Sequence, residues 1–269
     1  MLKLRILIIG AHPDDCDGGC GGIALKYIKE GCTVQFVSVT DGSAGHQSYK
    51  REALAKIRKS EAQASAAVGG LTYLVLDNPD GRLEVNLNTR DELLRIIRNF
   101  APDIIITHRP NDYHPDHRYT SQLVQDNSYL IMIPNVCPDT PALKFQPAIF
   151  YMSDSFKRPY SFSPNVAVSI DDVIDRKLEM VSCHKSQFFD FLPWIDRLQK
   201  GIPEDYDDSK YAYDCVNGSD RRSADRFRNL LIARYGEQRG SAVEYAEAYE
   251  MSEYGSQISE EEINDYFPL

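Results

Sequence analysis

Two short clusters of histidine and aspartate have the residue types and the spacing of a metal centre. The first reads HPDD at residues 12–15, and the second reads HPDH at residues 114–117. Imidazole and carboxylate groups bind divalent metals, and catalytic zinc sites use three protein ligands and keep a fourth position for water. In each cluster the first and last residues stand three apart, which lets both point to the same side of a turn. The clusters therefore predict an open metal site that activates water.

Each cluster has a simpler interpretation when it is taken alone. Proline followed by aspartate favours a turn or the start of a helix, so either cluster could be a helix cap with no ligand role. The metal interpretation gains its weight from the pair, because both clusters come directly after a predicted parallel strand. We therefore favour one metal site over two unrelated caps.

The elements that must position the clusters alternate between strand and helix patterns. Apolar runs predict strands at 4–10, 33–40, 72–77, 103–108, 148–152 and 165–170. Helical spacing predicts helices at 22–31, 49–69 and 89–101. This order predicts an α/β fold with a Rossmann-like, mostly parallel sheet and helices on both faces.

The predicted sheet brings the two clusters together. Ligands bind beyond the carboxyl ends of parallel strands, at the point where the strand order reverses. In the order 3-2-1-4-5, strands one and four are neighbours at that point, and each is followed by one cluster. We predict a single domain, with residues 1–170 as the sheet core and 171–269 as a helical extension that shapes the outer pocket. The acidic stretch 256–269 is either a frayed tail or a capping helix.

The composition of the chain limits the classes of partner and the cellular compartment that we expect. The 269 residues include 30 lysines and arginines against 40 aspartates and glutamates, a formal net charge of −10. Nucleic acids and anionic membranes attract basic faces, so we expect neither as a partner. No apolar stretch approaches the roughly 20 residues of a membrane span, and the six cysteines form no CxxC pair. The apolar run 4–9 is too short for the core of a secretory signal, so we expect none. We therefore expect a cytoplasmic protein with reduced thiols.

Glycines and cysteines beside the first cluster have structural interpretations. Gly19, Gly21 and Gly22 are placed like a phosphate-binding loop, but the GxGxxG fingerprint of a dinucleotide site is absent after Gly10. We therefore expect Gly21 and Gly22 to allow close packing of helix and sheet. Cys16 and Cys20 stand four apart at the helix start, and thiolates bind zinc well. Histidine and aspartate already complete a ligand set, so we expect both cysteines to be core residues.

The residues of both clusters also resemble a known family. GAHPDD at 10–15, followed by GCGG at 19–22 and by the later HPDH, is similar to the LmbE-like, or GlcNAc-phosphatidylinositol de-N-acetylase (PIG-L), family. Shorter matches are IRKSEAQASAAVGG at 57–70, LDNPDGRL at 76–83, HKSQF at 184–188 and YAEAY at 245–249. The resemblance covers most of the chain. It implies a zinc-dependent deacetylase, with a Rossmann-like fold, that acts on N-acetylglucosamine conjugates and related N-acyl groups.

The resemblance implies roles for the central residues. His12, Asp15 and His117 would hold one zinc ion per chain. Asp14 would be the general base, and His114 would lie beside the reacting carbonyl. Amide hydrolysis needs a base for water, a stabiliser for the oxyanion and an acid for the leaving amine, and a protonated His114 could contact the oxyanion. Which of Asp14 and His114 protonates the amine stays open.

Residues around this centre have secondary roles. Asp116 would support a metal-bound histidine or cap a helix. Substrate contacts are predicted for four residues: Arg58, Asp80, Asp112 and Tyr113. Arg58 could instead form a simple ion pair with Glu61, Asp80 could belong to a bare turn, and Tyr113 could be a surface tyrosine. His184 is expected to be a buried structural histidine.

Two rival functions fit the same ligand types. Two histidines and one carboxylate are also the donor set of non-haem iron oxygenases, and a sugar-binding module could keep the site without catalysis. The alternating α/β pattern disfavours the oxygenase, and the presence of both Asp14 and His114 disfavours the inactive module.

The expected substrate is a small N-acetylated sugar conjugate. The aromatic-rich stretches 186–194 and 205–213 could stack on sugar rings, or they could form core and a subunit interface. We also expect the chain to form a homo-oligomer.

Overall fold

The sheet that carries the site has seven strands in the computed structural model, which describes residues 2–203 and 205–268. The strands are Arg5–Gly10 (β1), Thr33–Thr40 (β2), Thr72–Asn78 (β3), Ile104–Thr107 (β4), Ala148–Met152 (β5), Val166–Ser169 (β6) and Ala246–Gly255 (β7). They lie in the order β3-β2-β1-β4-β5-β7-β6. The contacts among β1 to β5 are all parallel, whereas β7 runs antiparallel to both of its neighbours. The predicted strand order and the mostly parallel α/β fold are confirmed.

Helices cover both faces of this sheet. They are Asp15–Lys29 (α1), Arg51–Gly69 (α2), Leu87–Phe100 (α3), Pro115–Leu130 (α4), Ile174–Val181 (α5), Leu192–Lys200 (α6), Asp208–Arg226 (α7), Arg228–Tyr235 (α8), Glu237–Ala242 (α9) and Ile263–Tyr266 (α10). A π-helical segment, Ser186–Phe191, leads into α6. Within residues 2–203 and 205–268, no helix combines the length and the apolar character that crossing a bilayer requires.

Strand β1 is buried on both faces, which fixes the point where the first cluster begins. Ile6 and Ile8 belong to an apolar cluster that includes residues of α1 and α5. Leu7 and Ile9 belong to a second cluster, with residues of α3 and α4. Central strands of parallel sheets are covered in this way. The loops that leave the ends of β1 and β4 therefore start from rigid positions.

Helix α1 begins at Asp15, and our prediction of a start at residue 22 was wrong. Glycine is a poor helix former, so the stretch 18–22 resembled a loop. The structure uses Gly19 and Gly22 of this stretch for close packing. A Cβ atom at Gly19 would lie 2.8 Å from Met152 Sδ, and one at Gly22 would lie 2.6 Å from Ile170 Cγ2.

This packing predicts opposite effects for two glycines of the same helix. Gly22→Ala should lower the free energy of unfolding by about 1–3 kcal/mol, because the new methyl group must displace the buried Ile170 side chain. Gly18 is the matched control, since nothing lies within 4 Å of a Cβ atom built there. Gly18→Ala should raise the stability by up to about 1 kcal/mol through helix propensity. Urea unfolding measures both, and equal stabilities would contradict the close packing.

Helix α4 follows the second cluster and was absent from our prediction. His114 is its N-cap residue, and Pro115 occupies the first turn, where proline is favoured because its missing N–H needs no partner. The cluster therefore does begin a helix, and this places His117 in the first turn.

We predicted that the chain after residue 171 is helical. This prediction was wrong in part, because β7 inserts between β5 and β6. Glu247 of β7 is only 3% exposed. Its carboxylate accepts from the N–H groups of Gly22 (2.8 Å) and Ile23 (2.7 Å) and from Lys177 Nζ (2.8 Å). In the sequence, a glutamate that is buried with its donors looks the same as an exposed one, which explains the missed strand.

The acidic C-terminal stretch packs on the body of the protein. It contains the short helix α10, and the Phe267 side chain after it is fully buried. Its ring lies against Phe150, with 4.9 Å between the ring centroids, and against Tyr249 at 5.8 Å. The capping alternative therefore holds for this stretch.

Candidate active site

Three ligand atoms form a nearly regular triangle at the carboxyl ends of β1 and β4. His12 Nδ1 lies 3.4 Å from Asp15 Oδ2 and 3.2 Å from His117 Nε2. His117 Nε2 lies 3.5 Å from Asp15 Oδ2. Tetrahedral zinc with bonds of about 2.0–2.2 Å separates its ligand atoms by about 3.3–3.6 Å. The three residues that we predicted as ligands therefore fit one zinc-sized ion and would supply three of the four ligands of a tetrahedral site.

The turn after β1 holds the Asp15 carboxylate in the triangle. Asp15 is the first residue of α1, and its Oδ2 accepts from the N–H groups of Ala11 (3.0 Å) and His12 (2.7 Å). Burial alone would raise the pKa of Asp15, but His117 and His108 outweigh burial and hold this pKa well below its usual range. Asp15 is therefore ionised and able to bind a cation.

Three carboxylates lie beside the two histidines of the triangle. His12 Nε2 lies 3.3 Å from both Asp80 Oδ1 and Asp116 Oδ2. His117 Nδ1 lies 3.1 Å from Asp112 Oδ2. Carboxylates on the second nitrogen commonly fix the ring and the tautomer of a metal-bound histidine. Asp116 thus lies where we predicted a supporting group, whereas Asp80 and Asp112, for which we predicted substrate contacts, have histidine partners.

The electrostatics of the centre favour a cation. Burial would keep both ligand imidazoles neutral, but the surrounding carboxylates outweigh it and raise the pKa of His12 and of His117. An excess of negative charge therefore remains at the triangle. A divalent cation bound between the three atoms would lie in this negative field.

His108 is part of the centre, and the sequence analysis missed it. Its Nε2 lies 3.2 Å from Asp15 Oδ2 and 3.1 Å from the Ala11 nitrogen, and its ring stacks on His117 with 4.0 Å between centroids. Asp15, His108 and His117 form an alternative group that could hold a metal. The signal was available, because His108 opens the run HRPNDYHPDH directly after β4.

Asp14 has a different partner from its neighbour Asp15. Its carboxylate forms a short ion pair with Arg58, whose side chain is only 2% exposed. Arg58 Nη2 also donates to the Pro13 carbonyl at 2.6 Å, and Nη1 donates to Gln187 Oε1 at 2.8 Å. Arg58, for which we predicted a substrate contact, is therefore buried and bonded to Pro13 and Asp14 of the first cluster.

Burial raises the pKa of Asp14 to about 6, against the opposing effect of Arg58. A base with a pKa near the working pH transfers protons efficiently. The backbone at Asp14 has φ 145°, a region that residues other than glycine rarely adopt and that costs about 1–3 kcal/mol. Strain of this kind persists where the surrounding contacts fix a side chain.

His114 presents a hydrogen-bond donor beside the triangle. Its Nδ1 accepts from the Asp116 N–H at 3.2 Å, so a neutral ring carries its proton on Nε2. The ring stands edge-on to His12, with 4.6 Å between centroids. Burial, His12 and His117 lower the pKa of His114. The structure therefore favours a neutral donor over the protonated imidazole that we had expected.

Tyr113 lies at the mouth of the same loop and is 73% exposed. Its ring is 5.8 Å from the rings of both His114 and His117 and 6.2 Å from that of Phe156. A ligand that reaches the triangle would therefore pass an aromatic surface.

Cys16, Cys20 and His184 lie outside the centre. Both cysteines are fully buried, and burial raises the pKa of each thiol well above its usual value. Among the described residues, neither belongs to a group that could hold a metal. His184 is fully buried, and its Nε2 lies 3.1 Å from Asp17 Oδ2.

The family of the chain follows from sequence comparison. Residues 7–127 match the PIG-L family, described as GlcNAc-PI de-N-acetylase. The diacetylchitobiose deacetylase of Thermococcus kodakarensis is 31% identical over 190 residues, which cover 68% of this chain and 70% of that protein. This chain belongs to the PIG-L family. The resemblance seen in the two clusters is confirmed, and the deacetylase relative indicates a hydrolytic enzyme that acts on N-acetyl amides.

Solved structures show the PIG-L fold over nearly the whole chain. The N,N'-diacetylchitobiose deacetylase of Pyrococcus horikoshii has a TM-score of 0.70 at 25% identity and covers 92% of this chain and 83% of its own. The 4-carboxy-2-hydroxymuconate hydratase of Pseudomonas putida has a TM-score of 0.71 at 17% identity, with coverage of 95% and 100%. Because a hydratase shares the fold, the PIG-L fold alone does not decide the reaction, and the site residues must.

Proposed function

We propose that this PIG-L protein is a zinc-dependent N-deacetylase that hydrolyses the acetamide of a small N-acetylglucosamine-type sugar conjugate. The observation that carries the proposal is the triangle of His12 Nδ1, Asp15 Oδ2 and His117 Nε2, with sides of 3.2–3.5 Å. One zinc ion held there would act as a Lewis acid and lower the pKa of water at its open position. The similarity to diacetylchitobiose deacetylases supports the acetamide substrate.

Asp14 is the proton acceptor in this proposal. Its carboxyl is buried, is held by Arg58 and has a pKa of about 6, so near neutral pH it is ionised yet basic enough to take a proton from the attacking water. The protonated carboxyl then holds the proton that the leaving amine needs. This assigns the acid role, which the sequence left open, to Asp14.

His114 stabilises the charge on the reacting carbonyl oxygen. A neutral ring with its proton on Nε2 can donate to the oxyanion, and a donor fixed in advance needs no reorganisation during the reaction. The ring is fixed by the hydrogen bond from the Asp116 N–H and by the edge contact with His12.

The sugar ring would rest on the aromatic surface of Tyr113 and Phe156. An aromatic face suits the apolar side of a pyranose, because it provides contact area at little cost in side-chain entropy. The location in the cytoplasm and the homo-oligomer stay predictions.

A substrate panel tests the proposed function. Metal-free protein reloaded with one equivalent of zinc should release one amine and one acetate for each molecule of N,N'-diacetylchitobiose or a related N-acetylglucosamine conjugate that it consumes. Fluorescent detection of free amine measures the first product. Absence of amine from the whole panel would contradict the proposal, and binding without turnover would indicate a sugar-binding module. Oxygen uptake by the protein loaded with Fe²⁺, without amine release, would instead support the oxygenase.

A further inference from the structure

The HKSQF stretch, residues 184–188, is anchored to two helices beside the candidate site, yet the reaction described above gives it no role. His184 pairs with Asp17 of α1 at 3.1 Å. Ser186 donates to the Glu61 carboxylate of α2 through its N–H (2.8 Å) and its Oγ (2.6 Å). These contacts hold the stretch in place, and one polar side chain of the stretch remains to be explained.

That side chain is Gln187, which reaches the buried Arg58. Gln187 Oε1 accepts from Arg58 Nη1 at 2.8 Å, while Arg58 Nη2 donates to Asp14 and to the Pro13 carbonyl. The guanidinium is planar and rigid, so a constraint on one Nη atom also fixes the direction of the other. Gln187 and Asp14 therefore hold opposite ends of one rigid group.

Packing restrains the stem of Arg58, so the direction of its guanidinium depends on its hydrogen bonds. A Cβ atom at Gly42 would lie 2.9 Å from Arg58 Cδ and 2.8 Å from Pro13 Cδ, so the loop after β2 packs closely on the side chain. Arg58 Nε is buried without a hydrogen-bond partner. Loss of the Gln187 acceptor would let the guanidinium turn to seek another acceptor, and the bond to Asp14 would turn with it.

We propose that Gln187 is a positioning residue that acts through Arg58 to hold the Asp14 carboxylate in its reactive direction. The inference rests on the proposed function, in which Asp14 handles the proton. A neutral amide suits this task, because it fixes the guanidinium without adding a second carboxylate that would compete with Asp14 for the positive charge. The π-helical geometry of Ser186–Phe191, which is frequent at functional sites, carries Gln187.

The decisive variant is Gln187→Met, which keeps the length of the side chain and removes the acceptor. We expect kcat to fall about 10- to 100-fold, the size expected for one hydrogen bond to a charged group, with KM and zinc content unchanged. In an Asp14→Asn background the same substitution should change kcat less than about twofold, because coupled residues are not additive. Ser186→Ala is the matched control: it removes a bond from the same segment to Glu61, and it should lower Tm and leave kcat unchanged.

Two results would overturn the inference. One is a wild-type kcat in Gln187→Met, and the other is an equal loss of kcat in the wild-type and Asp14→Asn backgrounds. Failure of the proposed function has another signature, because zinc-loaded wild type would then release no amine at all. In that case a crystal structure of Gln187→Met still decides: an Arg58 guanidinium that has turned away from Asp14 supports the positioning role, and one that has not moved overturns it.

Discussion

The Asp14→Asn variant should turn over substrate about 10²–10⁴-fold more slowly than the wild type, the usual contribution of a general base, and it should keep its zinc. Asparagine retains the size and the carbonyl acceptor of Asp14 but cannot take a proton. In this variant Arg58 keeps the Pro13 carbonyl and Gln187 Oε1 as acceptors, so residues 12–15 should stay in place. Metal analysis together with steady-state kinetics measures both quantities.

The control for this variant is the neighbouring residue. Asp15→Asn removes a charged atom of the triangle, so its main effect should be a loss of zinc affinity. If Asp14→Asn loses its zinc while Asp15→Asn retains it, the two roles are reversed. A fully active Asp14→Asn enzyme would show that the base lies elsewhere, with His114 the next candidate.

The stability of metal-free protein gives Asp14 a second test that needs no substrate. Burial raises its pKa from 3.8 to about 6 in the folded protein. Between these values the folded protein holds a proton that the unfolded chain has released. The contribution of this proton to the free energy of unfolding is therefore complete below about pH 4 and is lost as the pH rises to about 6. The loss is about 3 kcal/mol and is absent from Asp14→Asn. Urea unfolding from pH 4 to 7 should therefore increasingly favour the variant, and a constant difference between the two proteins would contradict the raised pKa.

His117→Ala should weaken zinc binding by more than about 100-fold, since loss of an outer carboxylate alone typically costs 10- to 100-fold. Asp112→Asn should weaken zinc binding by this smaller factor, because it removes only the charge of the carboxylate beside His117 Nδ1. Tyr113→Phe is the control and should bind zinc as the wild type does. Competition with a chromophoric chelator measures all three affinities.

The same measurement of zinc affinity, applied to His108→Ala, shows which of two groups of residues holds the ion. His108→Ala should keep its zinc if the ion sits in the triangle that includes His12. Loss of zinc in His108→Ala, with retention in His12→Ala, would move the ion to the alternative group of Asp15, His108 and His117.

The sequence was enough to predict the arrangement of the centre because that arrangement follows from local signals and one topological rule. HPDD and HPDH each follow an apolar strand, and parallel strands one and four are neighbours at the switch point. The register of β1 and β4, with Ile9 opposite Thr107, then brings their carboxyl ends together.

Contacts between distant polar residues could not be predicted in this way. Arg58 and Asp80 were placed near the site by resemblance, but their partners, Asp14 and His12, are tens of residues away along the chain. Strand β7 was missed for a related reason. Its Glu247 is neutralised by Lys177 of α5, so a charge that looks exposed in the sequence lies in the core.

Titration of metal-free protein with zinc, while amine release is followed on the best substrate of the panel, tests the central claim most directly. One ion held by His12, Asp15 and His117 predicts that the rate is negligible without metal, rises linearly and stops rising at one equivalent per chain. Full activity in the metal-free protein, or a rise that continues to two equivalents, would contradict a single catalytic zinc at this triangle.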